Sequence, residues 1–163
     1  MLADNEDVWN RVLPEQANVD YRDPSLVMFS GVVNSACGTA QSAMGPFYCP
    51  NDQKIYLDTD FFRTMSQRMG AGGDFAYAYV IAHEVGHHVQ NQLGILEQSM
   101  AARQRSDQGT ANRISVLTEL QADCFAGIWA RQANEQFGSL EPGDIEEAIS
   151  AAEAVGDDTL MAN

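Results

Sequence analysis

Apolar residues recur at three- and four-residue steps through most of this chain, so the expected fold is mostly helical. Residues 4–13 put Val8, Trp9, Val12 and Leu13 on one side of an opening helix. Residues 60–69 read as a second helix, broken by Gly70-Ala71-Gly72-Gly73. A third starts at Asp74, an N-cap by residue type, and meets no breaker before Gly94. Residues 96–105 are a further helical stretch and 106–110 a polar loop. From 111 to 136, Val116, Leu117, Leu120, Cys124, Phe125, Ile128 and Trp129 mark the expected buried face of a long helix. A turn over 138–143 precedes a last helix, 144–155, with Ile145, Ala148, Ile149 and Ala152 inward.

Two runs are β-branched and aromatic enough for strands, 25–33 and 54–57. Joined by the loop between Cys37 and Cys49, they are expected to pair as a hairpin, with Ile55 and Leu57 facing one side and Tyr56 the other. Repeats, low-complexity tracts and linkers are absent. The pattern therefore predicts one α+β domain over residues 1–163, a small sheet packed on helices.

Charge narrows the partners. With 23 acidic against 9 basic residues the formal charge is −14, which repels nucleic acid and anionic membrane surfaces alike. The sequence has no apolar run long enough to span a bilayer, and its first ten residues lack the basic-then-apolar pattern of a signal peptide. Cysteine usage bears on the compartment. A Cys37–Cys49 bridge would restrain the Gly-, Ser- and Pro-containing loop and would need an oxidising environment; two free thiols are the other reading. Cys124, on the apolar side of the long helix, reads as a buried thiol.

The chemistry concentrates in His83-Glu84-Val85-Gly86-His87. Positions four apart share a helix face, so both histidines can address one metal ion, and Glu84 lies where a carboxylate reaches water bound to it. A catalytic zinc takes three protein ligands and keeps a fourth position open. The long helix offers the third in Glu119-Leu120-Gln121-Ala122-Asp123, where two carboxylates share a face beside the apolar stripe and need a cationic partner. Glu119 is the expected ligand, and Asp123 the acceptor of a histidine N–H from the far side of the ring. This HExxH-plus-ExxxD pattern is that of the gluzincins. Metzincin spacing fails at Gln90 and Leu93, and aspartate-zincin spacing fails at Arg113. A deformylase-type cysteine ligand, Cys37 or Cys49, is outweighed by the ExxxD pair. His88, turned about one hundred degrees from His87, is expected at the surface or behind the ligands.

Three blocks, VNSACGTAQSAMGPFYCPNDQKIYLDTDFF, AYVIAHEVGHHVQNQLG and ELQADCFAGIWA, together resemble the neutral zinc metallopeptidase family of YpfJ-like bacterial proteins. The resemblance implies a zinc-dependent peptidase with one zinc per chain, His83, His87 and Glu119 as ligands and Glu84 as the catalytic residue. It also implies an extracytoplasmic domain whose membrane anchor is not part of this sequence. Family members usually continue past the stretch matching Val155-Gly156-Asp157-Asp158 into a region with a further histidine. The expectation is therefore that residues 1–163 are part of a longer protein.

Hydrolysis of a peptide or protein substrate is the expected function, with Glu84 passing a proton from water to the leaving amine. Tyr56, Tyr77 and Tyr79 are the candidates for a second oxyanion donor, and the letters do not choose among them. Two rivals remain: a catalytically silent, zinc-stabilised interaction module, and a hydrolase of small amides. Intact Glu84 speaks against the first, because a purely structural site has no use for a general base.

Overall fold

The computed structural model describes residues 2–41, 45–61, 63, 74–137 and 146. Its helices are α1 (Leu2–Val12), α2 (Asp74–Gln92), α3 (Ile95–Gln104) and α4 (Gln108–Phe137). Its strands are β1 (Ser25–Phe29), β2 (Val32–Ser35), β3 (Gly38–Gln41), β4 (Phe47–Cys49) and β5 (Lys54–Asp58). The fold is α+β and mostly helical, as the pattern predicts. The expected elements over 60–69, 138–143 and 144–155 lie outside the described residues, save that Asp60, Phe61, Arg63 and Glu146 are helical. Asp74 opens α2, the place at which the sequence sets the start of that helix.

The strands depart from the predicted hairpin. β1 pairs with β5 in parallel, Ser25 opposite Lys54 and Phe29 opposite Asp58. Parallel strands need a crossover of about a dozen residues or more, and residues 30–53 supply it. The predicted 25–33 strand breaks at Ser30-Gly31, where Gly31 takes φ +87°, a conformation side chains resist. Beyond the break, β2 and β3 form a separate antiparallel pair, Val32 opposite Gln41. β4, unforeseen, lies antiparallel to β5 with Phe47 opposite Tyr56. The sheet order is β1-β5-β4, so β5 is central and β4 lies at the edge of the described sheet.

β5 alternates as expected. Ile55 and Leu57 join the main core with Val8, Trp9, Val12 and Leu13 of the N-terminal segment, Val85 and Val89 of α2, and Ala126 and Trp129 of α4. Tyr56 packs on the opposite face with Phe29 and Cys49, stacked on Phe47 at 4.7 Å between ring centroids. The Cys37–Cys49 bridge, with sulfurs 2.03 Å apart, ties the β2–β3 turn to the end of β4. Each large core side chain contributes about 1.5–3 kcal/mol by leaving water, and the core lies where α1, α2, α4 and the sheet meet.

α4 turns inward only part of the face its hydrophobicity predicts. Leu117 and Leu120 are 60% and 52% exposed, and Cys124 is exposed rather than a buried thiol. Trp129 is buried as expected, with Phe125 and Ile128 packed against the same core, but Glu119, Ala122 and Ala126 take the inward places of Leu117, Leu120 and Cys124. The reason is close packing. A Cβ on Gly86 of α2 would stand 2.9 Å from the Ala122 carbonyl oxygen and 3.3 Å from its Cα. Only small residues fit where these helices touch, so bulky Leu117 and Leu120 are turned out.

Candidate metal centre and cleft

α2 is buried on every side from Val80 to Gln90, so each polar group it carries there needs a partner. The Gly86–Ala122 contact sets α4 beside it and brings Glu119 to the histidines. Glu119 Oε2 lies 2.9 Å from His83 Nε2 and 3.0 Å from His87 Nε2. One ligand atom from each of the three residues lies within 4.8 Å of the others, and all three residues are buried.

The hydrogens on the two rings are fixed by the partners of their Nδ1 atoms. His83 Nδ1 donates to Asp123 Oδ1 at 2.7 Å, and the Tyr79 hydroxyl donates to the same oxygen at 2.8 Å. His87 Nδ1 faces Gln90 Oε1 at 2.8 Å. The Gln90 amide cannot be turned round, because its NH2 sits 2.9 Å from the Thr118 carbonyl, which only accepts. Both Nδ1 atoms therefore carry hydrogens, and in neutral rings both Nε2 atoms present lone pairs to a carboxylate oxygen. Three lone pairs converging on one point repel unless a cation stands among them. Two imidazole nitrogens and one carboxylate oxygen are also a donor set that zinc accepts.

Without a metal, protons take that place. Burial disfavours a charged His83, but hydrogen bonds to Asp123 and Glu119 and the charges of Glu84 and Glu119 outweigh it, raising its pKa from 6.5 to about 10. Burial raises Glu119 too, yet the bonds from His83 and His87 dominate and lower it to about 2.

Glu84 is 1% exposed and, among the described residues, neither carboxylate oxygen has a hydrogen-bond partner. Burial lifts its pKa to about 7 against the pull of His83 and His87. A buried, unpartnered carboxylate costs several kcal/mol. Its position fits a group that acts on a water or ligand in the adjoining space. That space is a cleft of about 190 Å³. Glu84, His87 and Glu119 line it together with Phe47, Tyr48 and Pro50 around β4, Leu96, Ser99, Met100 and Arg103 of α3, and Ser115 and Thr118 of α4.

His88, expected at the surface or behind the ligands, is fully buried and holds the β4 wall in place. Its Nε2–H donates to the Arg22 carbonyl at 2.5 Å, leaving Nδ1 to accept from the Tyr48 hydroxyl at 2.6 Å. Burial lowers its pKa, in keeping with a neutral ring. Asn91 adds a bond to the Tyr48 hydroxyl at 3.0 Å. Two of the tyrosine candidates for an oxyanion donor are engaged elsewhere: Tyr79 with Asp123 and Tyr56 with Asp52. Gln90, which sequence reasoning does not single out, stands three positions after His87, a spacing that places it on the same helix face.

The sequence profile of the family described as "Putative neutral zinc metallopeptidase" matches residues 1–163. The chain is 51% identical over 161 residues to the Uncharacterized protein YpfJ of Escherichia coli K12, covering 99% of this chain and 55% of that protein. It is 47% identical over 164 residues to the Uncharacterized protein Rv2575 of Mycobacterium tuberculosis H37Rv, covering 94% of this chain and 53% of that one. The chain thus spans about half the length of the curated relatives it matches. No solved structure matches. Among the described residues, no helix is long and apolar enough to cross a membrane. Matched along its whole length, and carrying a His–His–Glu cluster between two helices, this chain belongs to the neutral zinc metallopeptidase family.

Proposed function

We propose that this protein is a zinc-dependent peptidase, in which His83, His87 and Glu119 hold one zinc ion per chain and Glu84 is the general base and acid. The observation that carries the reading is the Glu84 carboxylate, buried and unpartnered beside three converging lone pairs and opening on a cleft. Zinc bound there would supply Lewis-acid chemistry, making water a nucleophile at neutral pH and polarising the scissile carbonyl. Glu84 takes the proton from the attacking water and hands it to the leaving amine. Asp123 and Gln90 hold the two histidine rings so that Nε2 stays free for the metal.

Substrate placement rests on the sheet. A peptide cannot add as a strand beside β5, which has a neighbour on each side. β4 takes that role in the proposal: it lines the cleft, and an extended peptide could add beside Phe47–Cys49 through main-chain hydrogen bonds. An open cleft with a strand at its wall supports a peptide substrate over a small amide. The Cys37–Cys49 bridge supports an oxidising, extracytoplasmic setting.

The test is metal analysis of the purified protein together with digestion of an unfolded protein, with and without a chelator. One zinc per chain and chelator-sensitive cleavage are expected. A metal-loaded protein that cleaves no peptide, but hydrolyses small amides or nothing, would overturn the reading.

A further inference from the structure

Phe47 and Pro50 line the cleft on the β4 side, while α3 and α4 contribute the polar Ser99, Arg103 and Ser115 beside the apolar Leu96 and Met100. Among the described lining residues Arg103 is the one arginine or lysine, in a chain with 23 acidic residues and 9 basic ones. Its Nη1 donates to Ser115 Oγ at 3.1 Å, which ties the guanidinium to α4. Among the described residues no carboxylate forms an ion pair with it, whereas Arg63 and Arg131 are paired with Asp60 and Glu135. A guanidinium has five N–H donors in a rigid fork, so one bond to Ser115 leaves the rest for a ligand.

Resting on the peptidase reading, we propose that Arg103 is a specificity-determining residue that receives a substrate carboxylate. The neighbouring charges make this selective. Glu84 and Glu119 line the same cleft and together match the charge of one zinc ion, so the net positive charge that a substrate carboxylate meets there is that of Arg103, with which it forms charge-assisted bonds. Two sources share this chemistry, an acidic side chain within an extended peptide and the free carboxylate at a peptide's C terminus. The first makes the enzyme an endopeptidase with an acidic preference. The second makes it trim chain ends.

Matched peptides with Glu or Gln scanned across the cleaved bond, each with a free or amidated C terminus, separate these sources. The zinc-loaded protein is expected to favour the carboxylate-bearing member of one pair by roughly 3- to 10-fold in kcat/KM, less at high salt. Arg103→Gln should abolish that ratio and Arg103→Glu invert it, while Arg131→Gln, an equal loss of charge elsewhere, should preserve it. The same peptides are also titrated against Glu84→Gln protein by fluorescence anisotropy, so that the comparison does not depend on turnover. An absence of carboxylate preference in both assays, or a preference that survives Arg103→Glu, overturns the proposal. Chelator-sensitive cleavage of the neutral peptides sustains the peptidase reading in either case.

Discussion

The Gln90 side chain joins His87 to the backbone of α4: its oxygen lies 2.8 Å from His87 Nδ1 and its NH2 2.9 Å from the Thr118 carbonyl. Thr118 immediately precedes Glu119, so the helix that carries the third candidate ligand also orients the second. Gln90→Leu should remove the acceptor and cost roughly 10–100-fold in metal affinity while the fold persists. Competition with a chromophoric chelator measures this. Gln90→Glu keeps an acceptor for His87 but sets a carboxylate against the Thr118 carbonyl, and should fall between. Wild-type affinity in Gln90→Leu would show that His87 needs no such support.

Glu119→Ala should weaken metal binding far more than Glu97→Ala, since Glu97 is exposed on α3 away from the cleft lining. Equal losses would place the third ligand elsewhere.

Glu84→Gln should retain the metal and abolish hydrolysis, because an amide of the same size cannot accept the proton. Stability should move the other way. The folded pKa of Glu84 lies above its ordinary 4.5, at about 7 in metal-free protein, so its charge costs stability progressively as pH rises through that window. Metal-free Glu84→Gln should therefore melt higher than wild type at pH 8. A lower melting temperature there would contradict the assigned strain.

Gly86 and Gly127 form a matched pair. Gly86→Ala forces a Cβ to 2.9 Å from a backbone oxygen and should destabilise by about 1–3 kcal/mol. By moving α4 away from α2 it should also weaken metal binding. Gly127, also on α4, has nothing within 4 Å of the added atom, so Gly127→Ala should stabilise by up to about 1 kcal/mol through helix propensity. Thermal melts with and without metal check both.

Metal affinity should climb with pH. Unliganded His83 holds its proton until about pH 10, and a ligand must give it up, so binding at pH 7 releases protons and strengthens as pH rises toward that value. In the metal-free fold the same upward shift adds stability that is complete below 6.5 and lost as pH passes about 10. Glu119, lowered to about 2, stays ionised throughout this range. Calorimetric titrations in two buffers of different ionisation enthalpy count the protons. No release at pH 7 would refute a protonated His83 in the metal-free protein.

What the letters disclose about this site is what helical spacing carries. His83 with His87 and Glu119 with Asp123 are local four-residue pairs, and the structure brings the two pairs together. Gln90 has the spacing but not the distinctiveness, because a glutamine on a helix reads as solvent-facing until the burial of α2 is known. On α4, hydrophobicity turns Leu117 and Leu120 inward, whereas close packing selects Ala122 and Ala126, and packing wins. β4 escapes detection because three residues between Pro46 and Pro50 carry almost no periodicity. The parallel partnership of β1 and β5 is a long-range choice that neither strand's composition records.

The shortness of β4 has a further consequence for the molecule itself. An exposed strand edge is a template for any extended chain, including another copy of the same protein, and long edges invite aggregation. With only Phe47–Cys49 in the strand, between Pro46 on one side and the disulfide and Pro50 on the other, the ladder available to a newcomer ends after about one pleat. Such an edge suits brief contact with a pliable chain and denies two folded copies the length they would need to zip together.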